Sequence, residues 1–375
     1  MSAESKNGKK KLAIYLCLIA GVAIFITSYI FISQHARKLE KEILAQEQAE
    51  QEAADAEKEK AEAEEPEKEP LADGEYRVSF DPDGGTFDIN YGAKGDDLVV
   101  TAGLRYGTLP VPVKDGYIFA GWYTESGARI GENSVVALTA DTALTAHYIT
   151  PDEVNEAWGL PVFMYHYLYD PAQGETSADS NHLNLNLFKQ HLAYLKENDF
   201  YYPTWNEVYA YVMGVMTLPE KSVVLTSDDA AESFFRLYAP AVEEYGGYAT
   251  SFMVTYQFDA EFVRANTTQN IIFRSHTHDM HRAGADGKGR IMTLSHDEIV
   301  ADLTTSGTVL MENDVLAYPF GHYNDAAEQA VADAGIRLAF TTEYGVVRPG
   351  MDPLALPRIR VNEGMSVETF AAVAG

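Results

Sequence analysis

Residues 271–282 read IIFRSHTHDMHR, an apolar run that passes directly into a cluster of histidines. The run 271–273 has the residue types of a buried β-strand. Three histidines, His276, His278 and His281, follow within six residues. Neutral imidazole is the commonest metal ligand in proteins. The segment therefore predicts a strand whose C-terminal end carries part of a metal site.

A second apolar run, 222–225, ends in a pair of acids, Asp228 and Asp229. Adjacent carboxylates at the end of a buried strand repel each other unless a cation lies near. We therefore predict Asp229 as a metal ligand beside His276 and His281, and Asp228 as a catalytic base. Three such ligands leave coordination positions open, as in catalytic sites, where bound water becomes a nucleophile. The spacing alone also allows a plainer reading, in which the acids cap a helix and the histidines belong to a surface loop.

From residue 151 onward, strand-like and helix-like segments alternate along the chain. The predicted strands are 161–165, 222–225, 250–255, 271–273, 315–318, 337–340 and 356–361. The predicted helices are 187–197, 204–213, 232–244, a run from 295, and 324–333. This alternation predicts an α/β domain with a parallel sheet, either a barrel or doubly wound. In both arrangements the site lies at the C-terminal ends of the strands.

The N-terminal region predicts a membrane anchor followed by a spacer. Residues 12–33 contain no charged side chain and follow a lysine-rich tail, 1–11. A helix of this length spans a bilayer, and the lysines place the N-terminus in the cytoplasm and the rest of the chain outside. A cleaved signal peptide is the alternative. Residues 34–75 form an acidic stalk rich in Glu and Ala.

Composition excludes some partners. The net charge of −28 argues against binding of nucleic acid, because lysines and arginines are too few to neutralise phosphates. The single cysteine, Cys17, cannot form a disulfide within the chain. Stability must therefore come from packing of apolar cores.

Residues 76–149 have strand-like runs separated by Gly, Pro and Asp turns, which predicts a small β-rich domain. The segments VSFDPDGGT, YGTLPVPVKDGYIFAGWYTESG and TALTAHY resemble the Listeria–Bacteroides repeat, also called the internalin B-repeat. The resemblance implies a β-grasp-like domain of bacterial surface proteins, without catalytic residues, that contacts the cell wall or a surface protein. Tyr117, Phe119 and Trp122 are expected in its core.

Residues 150–375 carry a second resemblance. LTSDDA, RSHTHDMH and LAYPFGHYN, in this order between LPVFMYHYL and LPRIRV, resemble the polysaccharide deacetylases of the NodB-homology type, carbohydrate esterase family 4. The resemblance implies a distorted (β/α) barrel. It also implies metal-dependent removal of N-acetyl groups from N-acetylglucosamine-containing glycans, either peptidoglycan or a poly-N-acetylglucosamine exopolysaccharide. The metal expected is zinc, with cobalt or nickel as alternatives.

The motifs assign roles residue by residue. Asp228 matches the catalytic base, and Asp229, His276 and His281 match the metal ligands. The third motif, expected to contact the substrate and the oxyanion through the Phe320 N–H, is Tyr318, Pro319 and Phe320.

Three positions depart from the family pattern: Ser227 replaces an aromatic residue, Ala230 a glycine, and Ala317 an arginine that orients the base. The substitute arginine is Arg274, Arg282 or Arg358, and the general acid is His166, His278 or His322. These departures leave open the hypothesis of a glycan-binding pseudoenzyme, and the β-rich repeat leaves open that of a surface adhesin.

Overall fold

The computed structural model describes residues 70–284 and 287–375. In these ranges no helix combines the length and the apolar composition that crossing a bilayer requires. The predicted tail, the predicted membrane span 12–33 and nearly all of the stalk lie outside the described residues. Those predictions therefore stay predictions.

Residues 75–149 form a five-stranded mixed sheet in the order β3-β1-β7-β5-β6, beside a two-stranded ribbon, β2 and β4. The strands are β1 Glu75–Asp81, β2 Thr86–Phe87, β3 Leu98–Thr101, β4 Pro112–Val113, β5 Ile118–Tyr123, β6 Arg129–Ile130 and β7 Thr142–Ile149. β1 is parallel to β7, and the other pairs of the sheet are antiparallel. The prediction of a β-rich domain is confirmed.

The core of this domain forms around two aromatic residues of β5. Phe119 and Trp122 are each 1% exposed, because an irregular register between Phe119 and Gly121 turns both toward the interior. The Trp122 indole N–H donates to the Pro110 carbonyl at 2.8 Å. The prediction for Tyr117 was wrong: its side chain is 47% exposed, because it precedes β5 in a turn, outside the alternation of the strand.

Seven parallel strands of the second domain close into a barrel in the order β11-β12-β13-β14-β15-β16-β8. The strands are β8 Val162–Tyr165, β11 Val224–Asp228, β12 Ala249–Met253, β13 Ile271–Ser275, β14 Val315–Ala317, β15 Leu338–Tyr344 and β16 Leu356–Arg360. All seven correspond to predicted strands. Pairing of the last strand with the first, through Ile359 and Phe163, decides for the barrel and against the doubly wound sheet. A short parallel pair, β9 Tyr167–Tyr169 and β10 His182–Asn184, follows β8.

Helices cover the outside of the barrel. They are α1 Leu185–Glu197, α2 Trp205–Val212, α3 Ala239–Tyr245, α4 Ala260–Asn266, α5 His296–Leu310, α6 Asp325–Asp333 and α7 Val367–Ala374. A π-helical turn, Phe234–Tyr238, leads into α3, and single 3-10 turns lie at Pro151–Glu153, Pro171–Gln173, Thr255–Gln257, Arg290–Met292 and Pro319–Gly321. Ser295 and Glu298 form a capping box at the start of α5. The helices α4 and α7 were not predicted.

The repeat domain packs against the N-terminal ends of the barrel strands. The Phe119 N–H donates to the Val215 carbonyl at 3.0 Å, and the Thr217 N–H donates to the Phe119 carbonyl at 2.8 Å. One apolar cluster runs from Trp122 in the repeat domain to Trp205, on α2 of the barrel domain. The C-terminal ends of the barrel strands remain free for a site.

Two glutamates meet inside this interface. Glu132 of the repeat domain and Glu207 of α2 are 3% and 2% exposed. Glu132 accepts hydrogen bonds from the Leu109 N–H at 3.0 Å and from the Thr204 hydroxyl. Burial, and then the charge of Glu207, raise the pKa of Glu132 to about 8. Burial also raises the pKa of Glu207, although Arg129 opposes the shift.

We predict that this pair makes the protein less stable as the pH rises. An ordinary Glu titrates near about pH 4.3, so above that pH the unfolded chain loses protons that the folded chain retains. The free energy of unfolding then falls until the folded pair titrates, by at most about 1.4 kcal/mol per pH unit for each group. Glu132→Gln should flatten this decline between about pH 5 and 8. The midpoint temperature of thermal unfolding, recorded at several pH values across this range, measures the decline in stability.

Glu125→Gln, at an exposed position of the same domain, is the matched control for the loss of one negative charge. An equally steep decline in Glu132→Gln and in the unaltered protein would contradict the prediction.

Candidate metal centre

Asp229, His276 and His281 converge at the C-terminal end of the barrel. Asp229 directly follows β11, and His276 directly follows β13. The Asp229 Oδ1 atom lies 3.6 Å from the His276 Nε2 atom and 3.3 Å from the His281 Nε2 atom. Among the described residues, these side chains form the one group of three whose ligand atoms lie close enough to share an ion.

The donor set fits a zinc-like ion. Two ligands about 2.1 Å from a tetrahedral centre lie roughly 3.4 Å apart, close to the separations found here. The His276 Nδ1 atom donates to the Ala317 carbonyl at 2.7 Å, which leaves Nε2 as the free ligand atom. Burial lowers the pKa of His276 and favours the neutral imidazole that a metal requires.

The loop between His276 and His281 is held by Asp302, which lies on α5. Its carboxylate accepts from the N–H of His278 at 2.7 Å and from the N–H of Asp279 at 2.9 Å. The His278 ring is hydrogen-bonded to the Thr255 hydroxyl and is not part of the three-residue group. The three histidines that look equivalent in sequence therefore have different surroundings.

Asp228 is buried at the end of β11 and paired with Arg358 of β16. Two guanidinium nitrogens of Arg358 donate to the two Asp228 oxygens at 2.7 and 2.8 Å, a bidentate geometry. Arg358 is fully buried and also donates to the Thr341 carbonyl at 3.0 Å. Burial opposes ionisation of Asp228, but the charge and hydrogen bonds of Arg358 outweigh it and hold the pKa of Asp228 well below its usual range.

Of the three arginines proposed to replace the missing one, Arg358 contacts the base. Arg274 pairs with Asp314 at 2.5 Å, and Arg282 pairs with Asp279. At position 317, where the family pattern implies an arginine, the Ala317 carbonyl accepts from His276 and orients its ring. Arg358, on β16, thus replaces the arginine that is absent from position 317, at the end of β14.

The two other departures also have structural roles. The Ser227 hydroxyl donates to the His166 carbonyl at 3.3 Å and so ties β11 to the end of β8. Ala230 has φ of 49° and Asp229 φ of 74°, so the left-handed turn that usually carries glycine is kept. An L-residue in this region costs roughly 1 kcal/mol or more. The site therefore retains its backbone geometry at some cost in stability.

Tyr318, Pro319 and Phe320, the residues predicted from the third motif, differ in burial and in the side chains that they contact. The Phe320 ring lies 4.5 Å from the His281 ring, centroid to centroid, and is partly exposed. Tyr318 and Pro319 are buried, and the Tyr318 ring stacks on Tyr323. The role of the Phe320 N–H toward an oxyanion stays a prediction.

One neighbour of the site was missed in the sequence. The Tyr167 hydroxyl lies 2.5 Å from the Asp229 Oδ2 atom. Tyr167 belongs to the segment LPVFMYHYL, beside His166, one of the candidate general acids. The available signal in the sequence was the position of Tyr167 just beyond the C-terminal end of β8. Tyrosine is not a typical metal ligand, so the sequence alone did not mark it as part of the site.

We predict that the buried pair of Asp228 and Arg358 is strongly coupled in stability. Arg358→Met leaves a buried carboxylate without its partner and should lower the free energy of unfolding by about 3–5 kcal/mol. Asp228→Asn leaves the guanidinium buried without its partner and should also lower the free energy of unfolding. The double variant, which removes both charges, should recover most of the loss. Denaturant unfolding of the four proteins gives the coupling energy.

Arg236→Met, which breaks surface ion pairs with Glu232 and Glu175, serves as the control and should cost about 1 kcal/mol or less. Additive losses in the double variant would show that the two charges do not depend on each other.

Comparison with known proteins gives two family matches. Residues 76–147 match the Listeria–Bacteroides repeat domain, and residues 216–339 match the polysaccharide deacetylase family. Both resemblances inferred from the sequence are thereby confirmed.

Individual relatives agree with the second match. A poly-β-1,6-N-acetyl-D-glucosamine N-deacetylase of Staphylococcus aureus is 24% identical over 274 residues, covering 68% of this chain and 89% of the relative. The Bacillus subtilis protein YxkH, named as a polysaccharide deacetylase, is 25% identical over 220 residues, covering 57% of this chain and 75% of the relative.

A solved structure supports the fold. IcaB from Ammonifex degensii superimposes with a TM-score of 0.50 and 24% identity, over 58% of this chain and 97% of that structure. The chain therefore carries a domain similar to the polysaccharide deacetylases, hydrolases that cleave carbon–nitrogen bonds, and a Listeria–Bacteroides repeat domain ahead of its barrel.

Proposed function

We propose that this protein is a metal-dependent deacetylase that removes N-acetyl groups from an N-acetylglucosamine-containing glycan. The observation that carries the proposal is the joint geometry of the site. A two-histidine, one-carboxylate group lies at the barrel end beside a buried aspartate that Arg358 holds in place. Poly-β-1,6-N-acetylglucosamine is the favoured substrate because the Staphylococcus aureus relative is named for it, and peptidoglycan is the alternative.

When bound, a divalent ion of this kind lowers the pKa of a coordinated water and polarises a carbonyl oxygen. Asp228 would accept the proton of the attacking water. Arg358 contacts both of its oxygens and so fixes the direction of the carboxylate. The Phe320 N–H, next to His281, would donate to the negative oxygen that develops on the acetamide carbonyl.

His166 is the best placed of the three candidate general acids. Its carbonyl accepts a hydrogen bond from Ser227, the residue before Asp228, and its Nδ1 atom is buried without a hydrogen-bond partner among the described residues. The His322 ring accepts the Gly289 N–H at 2.8 Å, and the His278 ring is bonded to a threonine hydroxyl. We propose that His166 delivers the proton to the leaving amine, so that acetate and a free amino sugar result.

We predict separate effects on metal binding and on chemistry. Asp229→Ala and His276→Ala should abolish both zinc uptake and acetate release, because each removes a ligand. Asp228→Asn should keep zinc uptake but lower acetate release by about 10²–10⁴-fold, the contribution of a general base. Zinc analysis and acetate release from poly-β-1,6-N-acetylglucosamine and from peptidoglycan, with and without a chelator, provide the two measurements.

His278→Ala is the matched control, because His278 lies between the ligands and outside the metal group. Undiminished acetate release in both Asp229→Ala and His276→Ala would refute the proposal. Zinc uptake without acetate release from any N-acetylglucosamine polymer would instead favour the glycan-binding pseudoenzyme.

We also propose that residues 12–33 anchor the protein in the cell membrane, with the barrel outside. The charge-free run and the preceding lysines support this arrangement. We expect the protein to stay with the membrane fraction after alkaline carbonate washing and to be degraded by protease added to intact cells. Release by carbonate would contradict the anchor. Contact of the repeat domain with the cell wall or a surface protein stays a prediction.

A further inference from the structure

The two oxygens of Asp229 have different surroundings. The Oδ1 atom faces the Nε2 atoms of His276 and His281, at 3.6 and 3.3 Å. The Oδ2 atom accepts a hydrogen bond from the Tyr167 hydroxyl at 2.5 Å. One oxygen of the carboxylate is therefore directed to the metal group and the other to a phenol.

The backbone alone does not explain this orientation. Asp229 lies in the left-handed region, with φ of 74°, at the start of the loop that follows β11. Its side chain is partly exposed, unlike the buried side chains of Asp228 and His276. A carboxylate on such a loop is free to rotate unless a second group holds it. Tyr167 supplies that group.

Tyr167 is itself held by its neighbours. It pairs in register with His182 across β9 and β10, and the two rings lie 4.9 Å apart. The His182 Nδ1 atom lies 3.0 Å from the Asp179 carboxylate. The next residue, Leu168, is buried, and its N–H donates to the Ser233 hydroxyl at 3.3 Å. The phenol thus reaches Asp229 from a short sheet whose position is fixed.

We propose that Tyr167 is a positioning residue that holds Asp229 as a one-oxygen metal ligand. By occupying Oδ2, the phenol prevents the carboxylate from chelating the ion with both oxygens. A coordination position is then left for water or for the acetamide oxygen. The inference rests on the proposed metal-dependent function, and it assigns to β9 a role in metal affinity.

The test compares Tyr167→Phe with Tyr169→Phe. The control removes the equivalent hydroxyl two residues along β9, where it bonds to Glu363 at an exposed position. Competition titration of the metal-free full-length proteins should show zinc affinity about 10–100-fold lower in Tyr167→Phe, the usual effect of removing a partner of a ligand. Tyr169→Phe should bind zinc as the unaltered protein does.

Cobalt(II) absorption is a second readout that does not depend on activity. Chelation by both Asp229 oxygens adds a ligand, so the visible bands of the cobalt form of Tyr167→Phe should weaken relative to the unaltered protein. A third variant, His182→Ala, keeps the phenol but removes the ring beside it, and should lower zinc affinity by less. Unfolding midpoints of all variants show whether an affinity loss reflects the site or the fold.

The outcomes separate the two proposals. If the unaltered protein binds zinc and Tyr167→Phe matches it in affinity and cobalt spectrum, the role of Tyr167 is overturned while the proposed function stands. If the unaltered protein takes up no zinc, the metal-dependent function fails and the role of Tyr167 fails with it.

Discussion

The ion pair between Asp228 and Arg358 is the interaction on which the site depends. An arginine without solvent exposure inside a barrel is costly unless its donors are satisfied. Here the carboxylate of Asp228 takes two donors, and the Thr341 carbonyl takes a third. The pair joins β11 to β16, the two strands that flank β8 in the barrel. The strand that carries Asp228, the predicted base, is therefore fixed by the same contact that keeps this carboxylate ionised.

This contact also explains why the family pattern can change at position 317. A guanidinium can pair with Asp228, the predicted base, from more than one strand, and here Arg358 of β16 supplies it. With Arg358 in that role, Ala317 needs only its carbonyl, which orients the ligand His276. The three departures coexist with a group of three side chains that could hold a metal ion and with an Asp228 carboxylate that is paired with Arg358.

Sequence reasoning reached those parts of the fold that local patterns determine. Apolar runs located all seven barrel strands, and adjacent acids and spaced histidines at their ends identified the metal group. Closure of the barrel depends on pairing between β8 and β16, nearly two hundred positions apart in sequence, which no local pattern reveals. For the same reason, no local pattern showed which of the three arginines contacts Asp228, or that the Tyr167 hydroxyl contacts Asp229. Tyr117 was misplaced because the turn before β5 breaks the strand alternation.

The repeat domain closes the end of the barrel opposite the metal group. Its core is continuous with the apolar interior around Trp205, and main-chain hydrogen bonds join Phe119 to the segment before β11. A domain attached only by a flexible linker would have a separate hydrophobic core, and its removal would not change the packing of its neighbour. Here each domain supplies part of the other's interior. Residues 71–375 thus form one compact unit, and removal of the repeat would expose to water part of the apolar interior of the barrel domain.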